Sequence, residues 1–221
     1  MKQKLQYILE DYDAHVLAYP SVSNTGLIRD EFISDAGNIY YSDLKTKANE
    51  ISFEIEFKGS DVQIKENRRK VSKLLDMASI TFDEEVYYKG RFVEAGVDKR
   101  YFYEVVTYKG SSIAHLYTQR YEVKTNEITK IYNNGNLKTP IRIILNGQGS
   151  NIKISGFNSE IYVKNLNGEI IIDAEKGISD EKGINNVVLF AFPYIEKSVD
   201  LLISGSGNFT TFVEFEGRVI C

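Results

Sequence analysis

Residues 50–59 read EISFEIEFKG, and no other stretch of the chain constrains the fold more tightly. Ile51, Phe53, Ile55 and Phe57 alternate with Ser52, Glu54, Glu56 and Lys58. A period of two puts the apolar side chains on one face of a β-strand and the polar ones on the other. Such a strand belongs to an antiparallel sheet with one packed face and one face in water. The period then changes. In IKENRRKVSKLLDMA, Val71, Leu74, Leu75 and Ala78 recur at i, i+3, i+4 and i+7, which predicts an amphipathic helix over 64–78. Ser60 or Asp61 is placed to cap its start. A half-apolar strand followed by a half-apolar helix predicts a sheet covered on one side by that helix.

Further strands are predicted at 78–82, 86–93, 101–108 and 113–123, with KGSS (109–112) turning a hairpin between the last two. Leu5, Ile8, Leu9 and Tyr12 fit a helical period over a short segment. The stretch 20–38 is polar and turn-rich and reads as a long loop holding one strand at 27–33. A loop of that length generally serves a function. The pattern breaks at TNEITK (125–130), which sets two domains, 1–127 and 128–221.

The second half shows no helical period. Strands are predicted at 141–146, 151–155, 160–164, 169–173, 186–192, 201–204 and 210–219. Between them lie the glycine-bearing stretches NGQGS, NLNG, EKGISDEKG and SGSGN, read as turns. Asn167–Gly168 is the sharpest hairpin signal, because a type I′ turn needs positive φ at both central positions. In IYNNGNLKTPIRIILNGQGSNIKI, Pro140 fixes the chain as it enters the second domain, and Ile141, Ile143 and Leu145 begin one face of a sheet. Seven short strands at this spacing predict a β-sandwich. The fold class is mainly β with one helix: an N-terminal α+β domain followed by the sandwich.

The 221 residues carry a net charge of -4, so no basic field points to nucleic-acid binding. No apolar run approaches the roughly 20 residues of a membrane helix. The start, MKQKLQYILEDYD, lacks the apolar core of a signal peptide. The single cysteine, Cys221, rules out an intrachain disulfide and points to a reducing compartment, with an inert thiol. Only His15 and His115 are present, in no metal-ligand spacing, and CxxC, GxSxG and GxxxxGK[ST] are all missing. No catalytic, metal or cofactor residue is assigned. Two acidic groups, Asp83–Glu84–Glu85 and Asp173, Glu175, Asp180 and Glu181, read as solvated loop charge rather than a glycosidase pair or calcium loop.

The order of these features resembles the distal tail (Dit) proteins of long-tailed, non-contractile bacteriophages. The likeness runs through DAGNIYYSD (35–43), EISFEIEFKG, RRKVSKLLDMA and the YYKGRF segment Tyr87–Phe92. It continues with the bend marked by Asn133, Gly135, Pro140, Ile141 and Ile143, with EIIIDAEKG (169–177), and with TTFVEFEGRVI (210–220). Where that family often has P-x-x-x-G-x-N, this chain reads PYIEKSVDLLISGSGN. The resemblance implies an N-terminal domain that closes six copies into a ring, and a galectin-like sandwich outside it. In some members the final strand returns to the ring domain, here Arg218 to Cys221. The implied partners are further copies of the chain, the tail tube protein, the tail tip protein and receptor-binding proteins. DNA would be present only in transit, and no membrane is implied. The protein would reside in the virion tail after assembly in the host cytoplasm.

The residues expected at the ring interface are Ile51, Phe53, Ile55 and Phe57 on the alternating strand and Arg68 and Arg69 on the basic helix face. The alternative reading is a carbohydrate-binding module that meets the host surface. With no Trp in the chain, Tyr162, Phe192 and Tyr194 would supply its aromatic platform.

Overall fold

The structure is a computed structural model that describes residues 3–23, 27–28, 31–33, 38–41, 45–46, 48–82, 85–178 and 186–219. These form two compact units, one reaching to His115 and one spanning Leu116–Val219. The division falls inside the strand Ala114–Val123 rather than at 127/128, because that strand runs unbroken through the point. Ala114 and His115 pair with Tyr88 and Tyr87 in the first unit, and the rest of the strand lies beside Ser198–Val219 in the second. TNEITK opens a strand of its own, Ile128–Tyr132, paired with residues 198–202.

In the first unit the alternating strand forms as Asn49–Lys58 and lies at the centre of a five-stranded antiparallel sheet. One flank is Tyr103–Ser112, which in turn pairs with Phe92–Arg100. The other flank is made of two short strands laid end to end, Ala14–Val16 and Ser21–Ser23. The helix Asp61–Leu75 starts at Ser60 in a capping box. The Gln63 amide N–H donates to the Ser60 hydroxyl, and the Ser60 amide N–H donates to the Gln63 side chain. The helix packs on the sheet's apolar face through Ile64, Val71 and Leu75. Leu74, expected on that stripe, is exposed. Asn67 takes a place beside the stripe instead, donating to the Tyr12 carbonyl at 2.9 Å. Phe53 packs against Phe82, Phe92 and Tyr108 at ring-centroid distances of 5.3, 5.5 and 5.8 Å.

Two expectations for this unit are met in part and one changes. Residues 4–12 form a short helix, Leu5–Leu9, and a 3-10 turn, Glu10–Tyr12, stopped by Asp13 at φ 49°. The strand expected at 27–33 is seen as Leu27–Ile28 and Glu31–Ile33, with residues 29–30 outside the described set. The hairpin between 101–108 and 113–123 does not form. Tyr103–Ser112 turns back instead onto Phe92–Arg100 at Tyr101–Phe102, and KGSS stays inside the strand, opposite residues 49–52. Gly110 serves close packing rather than a turn, since a Cβ there would lie 2.6 Å from the Phe92 ring.

The second unit has fewer and longer strands than its sequence implies. The pairs 141–146/151–155, 160–164/169–173 and 201–204/210–219 are each one strand: Thr139–Ser155, Ile161–Asp173 and Ser198–Val219. Three of the glycine stretches, NGQGS, NLNG and SGSGN, are not turns between strands, whereas the described part of EKGISDEKG does turn, with Gly177 at φ 68°. They lie in register across three neighbours, with Gly147 opposite Gly168 and Phe209, and Gly149 opposite Leu166 and Gly207. Asn167 pairs with Gln148, so the expected Asn167–Gly168 hairpin turn is absent. Along Thr139–Ser155 the buried side chains switch from Ile141, Ile143 and Leu145 to Ile152 and Ile154. The switch coincides with a register shift between Ser150 and Lys153, with Asn151 at φ 52°. Both halves reach one core shared with Ile161, Ile172, Leu201, Ile203, Val213 and Phe215. The sheet therefore bends over on itself at a glycine band, and three long strands supply both layers of a β-sandwich.

The final strand belongs to this second unit as far as it is described. Arg218 donates its N–H to the Thr139 hydroxyl at 3.1 Å, and its carbonyl accepts from Asn136 and Leu137. Ile220 and Cys221 lie outside the described residues.

Candidate assembly surfaces

Ile51, Phe53, Ile55 and Phe57 are fully buried inside the first unit. They are its core and not a face for another copy, which corrects their expected place at an interface. A strand that packs a helix on one side keeps only the other side for partners. That side carries Glu50, Ser52, Glu54, Glu56 and Lys58, with Thr107 opposite Glu54 and Tyr103 opposite Lys58. Glu56 holds His15 at 2.9 Å and Lys58 at 3.0 Å. The sheet thus offers a polar face of mixed charge to water.

Both edges of the same sheet lack a strand partner among the described residues. Phe92–Arg100 is nine residues long and exposes Val93 and Val97, and the opposite edge is the broken pair Ala14–Val16 and Ser21–Ser23. An unpaired strand of nine residues offers its backbone N–H and C=O groups to another strand, while its irregularity at 94–96 and the charged run Asp98–Arg100 restrict where pairing can run. The two edges differ, so edge-to-edge joining of copies is head-to-tail. At the end of the sheet, Tyr101 and Phe102 stand out at 92% and 74% exposure, their rings edge-to-face at 4.9 Å.

Arg68, expected to meet an acidic partner, finds one within its own unit. Its guanidinium bonds both Glu94 oxygens, with Nε at 3.0 and 3.1 Å, and reaches Glu104 at 3.2 Å through Nη1. Ser72 joins in, 2.6 Å from Glu94 and 2.9 Å from the Tyr108 hydroxyl. Lys99 holds the other oxygen of the buried Glu104 at 3.0 Å. The hydrogen bond from Arg68 holds the Glu94 carboxyl below the ordinary carboxylate range, and the bond to Glu94 raises the Arg68 guanidinium in turn. Burial pushes the Tyr108 phenol up to about 12. This network locks the helix to the sheet, and no local spacing reveals it, because Arg68 and Ser72 meet Glu94, Glu104 and Tyr108 from distant parts of the chain. Arg69, by contrast, is exposed and has no ion-pair partner among the described residues.

Among the described residues no three His, Cys, Asp or Glu side chains cluster as metal ligands. His15 pairs with Glu56, whereas His115 stacks on Tyr87 at 5.5 Å. Asp83, Glu84, Asp180 and Glu181 lie outside the described residues. Asp173 is a turn residue, its carboxylate accepting from the N–H groups of Glu175 and Lys176 at 3.1 Å each. No helix among the described residues is long and apolar enough to cross a membrane.

The three candidate glycan-contact residues differ in their settings. Tyr162 lies on the outer face of the second unit, between Lys153 and Val188 on neighbouring strands. Phe192 is half-buried, its carbonyl accepting from Asn158. Tyr194 is half-buried beside Pro140, with the Lys138 ammonium 3.3 Å from its ring centre. Phe190 is the exposed aromatic of that region, and the alternation Val188, Phe190 could have revealed it.

No protein-family model matches the sequence, and no curated protein matches it. Solved structures do. The crystal structure of the Dit protein of phage SPP1, described as a paradigm of the hub adsorption apparatus in phages that infect Gram-positive bacteria, superposes with a TM-score of 0.62 at 14% identity. The match covers 95% of both chains. Chains of the phage p2 baseplate in its activated conformation, with strontium and with calcium, match at TM-scores of 0.48 and 0.47 and identities of 12% and 11%, covering 91% of this chain and 90% of theirs. Those two likenesses are too loose to argue from. Over nearly its whole length, then, this mainly β chain has the fold of the SPP1 Dit hub protein.

Proposed function

We propose that the protein is the structural hub at the distal end of a phage or prophage-derived tail. It closes into a homo-hexameric ring, joins the tail tube to the tip and adsorption proteins, and lets DNA pass. It works by assembly and not by catalysis. The observation that carries this reading is the end-to-end match with the SPP1 hub protein, which takes in both units and not just a common sandwich. Two features of the first unit support it. Among the described residues its sheet has two unlike open edges, which suit head-to-tail closure. If the sheets join edge to edge with the helices outward, the lumen receives Glu50, Glu54, Glu56 and Lys58. That wall is polar and not basic, so it would not hold DNA phosphates. Immunogold labelling of intact particles tests the placement. Label at the distal end of the tail is expected, and particles free of label would overturn the proposal.

A further inference from the structure

Four rows of residues cross the first unit's sheet from one open edge to the other. Val97 pairs with Val106, Val106 with Ile55, and Ile55 with Val16. The next two rows run Asp98, Val105, Glu56, His15 and Lys99, Glu104, Phe57, Ala14. In the last, Arg100 pairs with Tyr103 and Tyr103 with Lys58, whose N–H donates to the Asp13 carbonyl at 3.1 Å. No register shift interrupts these rows, since the irregularity in Phe92–Arg100 lies at 94–96. An antiparallel ladder alternates hydrogen-bonded pairs with open ones. The bonds from Lys58 to Asp13 and from Leu17 to Glu54 fix that alternation, so Ala14 and Val16 turn their N–H and C=O groups away from the sheet. The rows cross four strands, an even number, so Val97 and Lys99 turn theirs away at the other edge in the same two rows. One of these outward groups is held: the Val16 N–H donates to the Gln6 side-chain oxygen at 3.2 Å.

From this phasing we infer that Phe92–Arg100 of one copy pairs with Ala14–Val16 of the next in the unslipped register, Val97 opposite Val16 and Asp98 opposite His15, and that Gln6 holds the incoming strand's place until it docks. The inference rests on the ring proposed for the chain and adds to it a register and a latch. The two edge strands run in opposite directions, so copies set side by side in one orientation continue the antiparallel sheet. Charge selects the register. Asp98 and Arg100 hold each other 3.0 Å apart within their strand, and straight across they meet His15 and Asp13 of the next copy. A slip of one residue would carry Val97 to the polar face. A slip of two sets Asp98 against Asp13 in one direction and against the exposed Leu17 in the other, and like charges directly opposite one another destabilise a pair of strands. Gln6 lies on the helix Leu5–Leu9, whose Leu5 and Leu9 are fully buried, so its side chain and not the helix has to yield. A cavity of about 260 Å³ lined by Gln6, Val16, Tyr19, Pro20 and Phe82 gives that side chain room.

The test is disulfide trapping in the full chain carrying Cys221→Ser, alone and mixed with the tail tube and tip proteins of the same particle. Asp98→Cys with His15→Cys puts the thiols in an open pair, where side chains lie closest, and should give a ladder of linked copies on a non-reducing gel. Asp98→Cys with Asp13→Cys matches the two-residue slip and should link about a tenth as much or less, since its thiols stand out of reach. Gln6→Ala should lower the concentration at which half the chain is assembled about fivefold, the worth of one hydrogen bond that no longer has to be broken. Urea melts check that each variant is folded. Rings seen by native mass spectrometry that link as well or better at the slipped pair overturn the register and leave the hub reading standing. Rings whose assembly Gln6→Ala leaves unmoved overturn the latch. An unmutated chain that assembles in no mixture overturns the ring, and the pairing with it.

Discussion

Arg68 shows how far one side chain can be from its apparent role. On the helix it is one of several cations, yet it bonds Glu94 and Glu104 on two different strands. Arg68→Ala would leave the buried Glu104 carboxylate with Lys99 alone and is expected to lower the unfolding free energy by about 2 kcal/mol, read in a urea melt. The pH dependence has a definite sign. The folded state lowers Glu94 below the ordinary glutamate value of 4.5, so its contribution is present above that value and is lost as pH falls through the lowered one. Acid melts of the native protein should fall off over that range, and those of Glu94→Gln should be flatter. Tyr108 moves the other way. Its phenol is raised from 10.0 to about 12 by burial, so the neutral form is favoured by the fold and the matching stability is lost as pH rises between those values. Absorbance at alkaline pH should show a tyrosine that ionises last, and Tyr108→Phe should remove it. For Phe53, which contacts three other rings, Phe53→Ala should cost about 3 kcal/mol of stability, the loss expected of a core aromatic.

Among the elements, the strand Asn49–Lys58 and the helix Asp61–Leu75 were legible in the sequence because each carries its period uninterrupted. The glycine-rich stretches of the second half misled, because glycine marks both turns and bends within strands. Only pairing partners separate the two, and for Gly147 and Gly149 those lie about twenty residues away in Ile161–Asp173 and about sixty away in Ser198–Val219. The hairpin at Tyr101–Phe102 was missed for the opposite reason, since its turn holds two aromatics and no glycine or asparagine. The glycine band makes its own prediction. Gly207 has φ 117°, and a Cβ there would meet the Gln148 carbonyl at 2.3 Å. Gly168 has φ 93° but open space around it. Gly207→Ala should therefore destabilise the sandwich by several kcal/mol, about 3, whereas Gly168→Ala should cost about 1, the strain of the backbone alone. Equal losses in thermal melts would mean that the bend does not depend on close approach of the strands.

On the scale of the whole molecule, an end-to-end fold match and a sheet with two unlike edges unpaired among the described residues support the hub role. Charging one edge should block closure without unfolding the unit. The double variant Val93→Lys and Val97→Lys places two ammonium groups on the exposed edge strand, the device that natural sheets use against pairing. Light scattering should find it folded and monomeric. The most direct measurement is native mass spectrometry of the purified wild-type chain, alone and mixed with the tail tube and tip proteins of the same particle. The ring account predicts a single closed species at six times the 25.2 kDa subunit mass. A chain that stays monomeric in every mixture would contradict it.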